Sequence, residues 1–228
     1  MDVYMKRSQV NAALVWAKKV LENNNFKLPC FGYWTMDEWK ANREETGNIQ
    51  KVMQGWDITD YGMGDFQKIG SVLFTIRNGK EDAGTPFAEK LIMLCEGQRL
   101  PCHHHVCKTE DIINRGGGIL AIRLFNTLPD GGADTESDVR VRMDGILRVV
   151  KAGETIEITP GNSITLTPYL NHIFWAKPGA GDLLVGEVSS INDDNTDNYF
   201  SEPVSRFATI EEDEPILHPL CNEYTRVL

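Results

Sequence analysis

Gly97-Gln-Arg-Leu-Pro-Cys-His103-His104-His105-Val-Cys-Lys-Thr-Glu110, followed by Asp-Ile-Ile-Asn-Arg-Gly116-Gly117-Gly118, is the stretch whose reading decides the fold. As a spacing it is G-x5-H-x-H-x4-E-x6-G, from Gly97 to Gly117. Side chains two apart on a strand point to the same face, so His103 and His105 present their imidazoles together. The gap to Glu110 fits a turn into the next strand, which returns the carboxylate to that face. Two neutral imidazoles and a carboxylate suit a divalent transition ion with positions left over for a substrate. Two plainer readings compete. Consecutive histidines also occur as a solvated surface cluster, and Cys102 and Cys107 raise a structural zinc site. Against zinc, the five cysteines (30, 95, 102, 107 and 221) include no C-x2-C pair. Strand alternation turns His104 away from its neighbours, to the exterior or to a supporting position.

The spacing resembles the first signature of the cupins, small antiparallel β-barrels that hold a metal inside. The second cupin signature, usually G-x5-P-x-G-x2-H, supplies a last histidine. Here the corresponding run is Gly161-Asn-Ser-Ile-Thr-Leu-Thr167-Pro168-Tyr169-Leu170-Asn171-His172. Thr167 stands where Pro is usual, and Tyr169 where Gly is usual. His103, His105, Glu110 and His172 are the expected ligand set.

Many short strand-forming runs separated by Gly, Pro and Asp turns follow residue 71, including 71–77, 89–95, 118–125, 138–143, 145–150, 155–159, 163–167, 172–175 and 183–189. Asp144-Gly145 supplies the positive φ of a tight hairpin turn. This pattern predicts an all-β cupin double-stranded β-helix, a jelly-roll barrel, at residues 71–228. Residues 1–70 differ and read as a helical extension packed on the barrel within one structural domain. Ser8 is positioned to cap a helix running to about residue 24, with Val10, Ala13, Leu14, Ala17, Val20 and Leu21 on one face. Thr35-Met-Asp-Glu38 is a capping box for a second helix. Trp16, Trp34, Trp39 and Trp56 read as packing residues.

The chain has 228 residues, 41% of them hydrophobic, with 33 acidic against 23 basic residues and a formal charge of −10. That balance disfavours nucleic acid and anionic membrane as partners. The acidic run Glu211-Glu-Asp-Glu214 reads as solvated surface. No apolar run approaches bilayer length, the first residues lack a signal peptide's apolar stretch, and the cysteine count is odd. These features predict a cytosolic protein with free thiols.

A narrower resemblance extends from residue 55 to 215. The runs Gly55-Trp-Asp-Ile-Thr-Asp-Tyr-Gly62, Gly64-Asp-Phe66, Thr75-Ile-Arg-Asn-Gly79, Ala88-Glu-Lys90 and Glu110-Asp-Ile-Ile-Asn-Arg-Gly-Gly-Gly118 resemble the D-lyxose isomerase family. So do Asn192-Asp-Asp-Asn-Thr-Asp-Asn198 and Arg206-Phe-Ala-Thr-Ile-Glu-Glu-Asp-Glu-Pro215. The resemblance implies a homodimeric, Mn²⁺-dependent aldose–ketose isomerase, interconverting D-lyxose with D-xylulose and often D-mannose with D-fructose. Zn²⁺, Fe²⁺, Co²⁺ and Ni²⁺ are also compatible with the donor set. The reaction moves hydrogen between C1 and C2 through an enediolate, which a divalent ion stabilises through O1 and O2. A carboxylate beyond the ligands must carry the proton. Glu202, Asp193 and Asp194 are the candidates, against readings of Glu202 as a solvated loop residue and of the Asn/Asp run as a turn.

Lys90, inside the apolar run Lys-Leu-Ile-Met-Leu, is either an edge device against aggregation or an inward group. The resemblance favours an inward Lys90 donating to a sugar oxygen. Arg206 is a further candidate at the substrate, and Arg115 reads as mainly structural. Phe174 falls on the face of His172, either as a wall against the sugar or as barrel packing. Two other classes stay open on the ligand set alone: a cupin dioxygenase and a non-catalytic sugar-binding cupin.

Overall fold

The computed structural model describes residues 5–191, 197–205 and 208–227. Its strands are β1 (Met5–Lys6), β2 (Gly55–Thr59), β3 (Ser71–Lys80), β4 (Ala83–Leu94), β5 (His103–His104), β6 (Glu110–Gly117), β7 (Leu120–Thr127) and β8 (Ala133–Asp134). They continue with β9 (Val139–Met143), β10 (Ile146–Val150), β11 (Ile156–Ile158), β12 (Ser163–Leu166), β13 (Leu170–Ala176), β14 (Leu183–Ser190), β15 (Tyr199–Phe200) and β16 (Ile210–Glu211). Helices α1 (Arg7–Asn23), α2 (Met36–Ala41) and α3 (Gly47–Lys51) precede the main run of strands.

Two antiparallel sheets face each other, giving the expected all-β jelly roll. The larger runs β10-β9-β12-β6-β14-β4-β3-β2, and the smaller runs β11-β7-β13-β5-β15 with β8 paired to β7. Period-two alternation sends Ile92, Leu94, Ile112, Ile122, Leu124, Phe174 and Val185 into the space between them. The outer face of β3 and β4 is buried as well. Phe74, Leu91 and Met93 pack there against Val10, Leu14, Ala17 and Leu21 of α1. A strand covered on both faces loses its polar alternate, which is why 72–74 and 91–94 show no alternation within those runs. Within β4, Lys90 shares its face with Ile92 and Leu94 and therefore points into the barrel. Strand β4 lies between β3 and β14, so Lys90 is not an edge device.

The sheet begins earlier than the boundary at residue 70. β2 pairs antiparallel with β3 from Gly55↔Thr75 to Thr59↔Ser71, and all five of its residues are buried. Its polar alternates Asp57 and Thr59 are buried along with Trp56 and Ile58. The turn at Asp144-Gly145 is as expected, with φ of 51° and 79°. Thr35 caps α2 as expected, its Oγ1 accepting from the Glu38 N–H at 3.3 Å while its N–H donates to Glu38 Oε2 at 2.7 Å. Trp39 and Trp56 are buried in the shared core. No helix among the described residues is long and apolar enough to cross a membrane.

One expectation near the start of the chain is corrected. Helix α1 starts at Arg7, not after a Ser8 cap, and Ser8 lies inside its first turn. The acidic run 211–214 is exposed, as expected, and it also docks on that turn. Asp213 accepts from the Ser8 N–H at 2.8 Å and from its Oγ at 2.7 Å, and Asn11 Nδ2 donates to Glu214 Oε1 at 2.6 Å. Carboxylates so placed satisfy the unpaired N–H groups of a helix start and favour its dipole. Arg7, fully buried, donates to Glu212 through Nε at 2.9 Å and Nη2 at 2.8 Å, and to Glu223. The Glu212 side of the pair is exposed, so solvent screens its contribution.

Hydrogen bonding from Arg7, with help from Arg226, holds the Glu212 carboxyl at about 2, below its ordinary 4.5. A depressed carboxyl stabilises the fold above its unfolded value, and that contribution is lost as pH falls through the folded value. Glu212→Gln is therefore expected to lower Tm at pH 6. The gap to wild type should close between about pH 4.5 and 2 in thermal melts across that range. A gap independent of pH would show that the ion pair does not contribute.

Candidate metal centre

Register creates the site. β13 pairs antiparallel with β5 so that His172 lies directly opposite His103, which joins the two sequence signatures in one ladder. Ring centroids of His103 and His172 are 4.2 Å apart, those of His103 and His105 5.2 Å, and those of His105 and His172 5.7 Å. One nitrogen from each of the three lies within 4.8 Å of the others. Glu110, first residue of β6, brings Oε1 to 3.4 Å from His105 Nε2 and 3.5 Å from His172 Nε2. All four side chains are buried.

The hydrogen bonds of the imidazoles fix what those nitrogens offer. His103 Nδ1 lies 2.9 Å from the Pro101 carbonyl, His172 Nδ1 3.0 Å from that of Leu170, and His105 Nδ1 2.5 Å from that of Asp197. A carbonyl only accepts, so each Nδ1 carries the proton and each Nε2 presents a lone pair. Nε2 of His105 and of His172 is buried without a hydrogen-bond partner. Leaving such an atom unsatisfied costs about 1–3 kcal/mol. Burial, reinforced by the other two imidazoles, pushes His103 well below its ordinary 6.5, and burial brings His172 down to about 4. Burial pushes Glu110 up, but Lys108 and the imidazoles outweigh it and hold the carboxyl well below 4.5. Neutral imidazole lone pairs converging beside an ionised carboxylate fit a divalent transition ion.

The neighbouring cavity is lined by Lys90, Lys108 and Glu187, with Tyr61, Phe174 and Phe200 as apolar walls. Lys108 Nζ lies 2.6 Å from Glu110 Oε2 and 3.0 Å from Glu187 Oε1, and Lys90 Nζ lies 3.9 Å from the same Glu187 oxygen. Phe174 is buried, nearly parallel to the His172 ring with centroids 6.4 Å apart. Glu202 is exposed and does not line the cavity. It follows Phe200, whose ring lies 5.2 Å from that of His103, and Ser201, whose N–H donates to the Cys102 carbonyl. Asp193, Asp194 and Arg206 lie outside the described residues. Arg115 lies across Gly186, where an added Cβ would meet its Nε at 2.8 Å. His104 points away from the cluster, 3.2 Å from Asn171 Oδ1 and stacked against Tyr199 and Tyr169.

Tyr169 has φ of 62°, a left-handed conformation that few non-glycine residues adopt. The usual glycine of the second signature is therefore a backbone requirement, which this chain meets with tyrosine. Three residues of the site were missed in the sequence. Glu187 gave the same signal as Lys90, a lone charge in an apolar run, and the two are register partners in β14 and β4. Lys108 sits between the candidate ligands His105 and Glu110 without a motif of its own. Asp197 lies in the Asn192–Asn198 run, where the sequence singled out Asp193 and Asp194 instead. Its carboxylate accepts from the N–H groups of Val106, Cys107 and Lys108 at 2.8–3.3 Å, and its carbonyl orients His105.

A family profile described as D-lyxose isomerase matches residues 5–224. The D-lyxose/D-mannose isomerase of Serratia proteamaculans is 42% identical over 230 residues, covering 98% of this chain and 100% of that protein. The protein of the same description from Escherichia coli O157:H7 is 42% identical over 228 residues, covering 96% and 98%. Among solved structures, the L-ribose isomerase of Acinetobacter sp. DL28 in complex with L-ribose aligns with a TM-score of 0.61 at 15% identity, over 92% of this chain and 99% of that chain. The Cellulomonas parahominis L-ribose isomerase with L-ribose aligns with a TM-score of 0.57 at 14% identity, over 92% and 100%. At such identities the likeness is one of fold.

Alanine in place of His103, His105, Glu110 or His172 is expected to lower bound Mn²⁺, measured by atomic absorption after dialysis. In wild type, Mn²⁺ at a hundredfold excess over Kd should stabilise the fold by about 2.7 kcal/mol. Full metal content in His172→Ala would show that the second signature does not supply a ligand.

Proposed function

We propose that this chain, which belongs to the D-lyxose isomerase family and is therefore an aldose–ketose isomerase, interconverts D-lyxose with D-xylulose, and D-mannose with D-fructose, by proton transfer between C1 and C2. The observation that carries the metal-dependent part of this reading is the pair of buried, unpartnered Nε2 atoms of His105 and His172 facing Glu110. His103, His105, Glu110 and His172 would hold the ion. When bound, it supplies Lewis acidity to the substrate oxygens on C1 and C2, on which the enediolate charge develops.

The remaining work falls to the chain's own side chains. Lys90 donates to a sugar oxygen and steadies the developing negative charge. Phe174, with Phe200, walls the reacting carbons against water. Glu202 takes the proton from one carbon and returns it to the other, with Asp193 or Asp194 assisting and Arg206 binding the sugar. Two observations favour Glu202 over the carboxylates inside the cavity. Glu110 faces the imidazole lone pairs through one oxygen and Lys108 through the other, and Glu187 is engaged by two ammonium groups. The segment carrying Glu202 follows directly on Phe200, which packs on His103.

Mn²⁺ is the ion this reading takes, a homodimer its assembly and the cytosol its place. The family resemblance supports the first and the second, and the free cysteines the third. Residues 1–70 are proposed to form one structural domain with the barrel at 71–228, because α1 shares a core with the outer face of β3 and β4.

Metal-stripped protein given Mn²⁺ and D-lyxose is expected to form D-xylulose without oxygen or nucleotide, and chelator should abolish turnover. Absence of ketose from any aldose on a panel of pentoses and hexoses would overturn the assignment. Glu202→Gln should lower kcat by about 10²–10⁴ with metal content intact. Wild-type exchange of the C2 hydrogen with solvent in that variant would move the role to Asp193 or Asp194.

A further inference from the structure

Lys108 is buried between Glu110 and Glu187, with its Nζ 2.6 Å from Glu110 Oε2 and 3.0 Å from Glu187 Oε1. The two oxygens of Glu110 consequently face different partners. Oε1 looks toward Nε2 of His105 and His172, at 3.4 and 3.5 Å, whereas Oε2 is held by the ammonium. A carboxylate ligand coordinates an ion through one oxygen or through two, and the difference is one coordination position. An ammonium on Oε2 in a charge-assisted bond opposes the two-oxygen mode.

The lysine is itself held at both ends. The Asp197 carboxylate accepts from the backbone N–H groups of Val106, Cys107 and Lys108. Glu187 anchors the ammonium from β14. Burying an ammonium is costly unless it is paired, and here two carboxylates share it.

We propose that Lys108 is a positioning residue that keeps Glu110 a one-oxygen ligand, and thereby reserves a further position on the ion for the second of two adjacent substrate oxygens. The site is in this way made selective for sugars that chelate through a carbonyl and its neighbouring hydroxyl. The inference rests on the metal-dependent reading above and concerns what that reading leaves open, namely how many positions the substrate receives.

The test counts exchangeable water on bound Mn²⁺ by water-proton relaxation, with metal content measured on the same samples. Four one-oxygen or one-nitrogen protein ligands leave two of six positions for water on an octahedral ion, and a two-oxygen Glu110 leaves one. Lys108→Met is therefore expected to reduce the inner-sphere relaxation per bound Mn²⁺ to about half. Lys108→Arg should restore the wild-type value, and Glu187→Gln should keep it, since it leaves the bond to Glu110 in place. Should Lys108→Met fail to fold, the charge-balanced double variant Lys108→Met/Glu187→Gln replaces it under the same criterion. Unchanged relaxation with Mn²⁺ bound overturns the proposal, as does a folded variant that has lost the ion, which would assign Lys108 to affinity instead. Wild type that binds no Mn²⁺ overturns the metal reading itself, and so separates the two failures.

Discussion

The antiparallel register that sets His172 of β13 opposite His103 of β5 is the constraint on which the rest of the site depends. Side chains on a strand have a period of two, so a slip of one residue would turn His172 out of the barrel together with Leu170, Phe174 and Ala176. The apolar residues on that face therefore hold the imidazole in place through the cost of exposing them. The same logic runs through β6, where Glu110 and Ile112 share a face, and through β14, where Glu187 follows Leu183 and Val185 inward. Lys90, His172 and Glu187 are each placed by hydrophobic residues two and four positions away on their strands.

That arrangement divides the barrel between an apolar end and a polar one. At the polar end, the carbonyls of Pro101, Leu170 and Asp197 fix the three imidazoles by their Nδ1 protons. Lys108 and Lys90 balance the carboxylates of Glu110 and Glu187. The imidazole lone pairs and a carboxylate oxygen remain directed at one point. Phe174 and Phe200 line the cavity beside that point, together with both ammonium groups.

Local pattern and long-range pairing explain what was legible in the sequence. The clustering of His103, His105 and Glu110 was readable because His-x-His is a two-residue relation and the turn to Glu110 is short. The all-β class was readable from turns such as Asp144-Gly145, and the second helix from Thr35 and Glu38. Lys90 was readable as an inward group only through resemblance, because burial on both faces of β4 erased the alternation that would have assigned its side. Asp197 was not legible, since its partners lie some ninety residues upstream, and the docking of Glu212 on Arg7 joins residues 205 apart. Tyr169 looked like a weakened signature, although its φ of 62° preserves the turn that the signature encodes.

The separation of Arg7 from its anions also bears on how the molecule is made. During synthesis Arg7 leaves the ribosome 205 residues before Glu212, so the first turn of α1 spends most of translation without the carboxylates that complete it. Until then its charge is stable only in water, and α1 cannot settle fully against the outer face of β3 and β4. Contacts of such sequence separation form late and slow the search for the native topology. The strand pairs of the barrel are closer in sequence and are free to assemble first. Closure of the acidic segment over Arg7 is thus a finishing step, and an interrupted chain that stops short of it keeps a charged, open seam that distinguishes it from the finished protein.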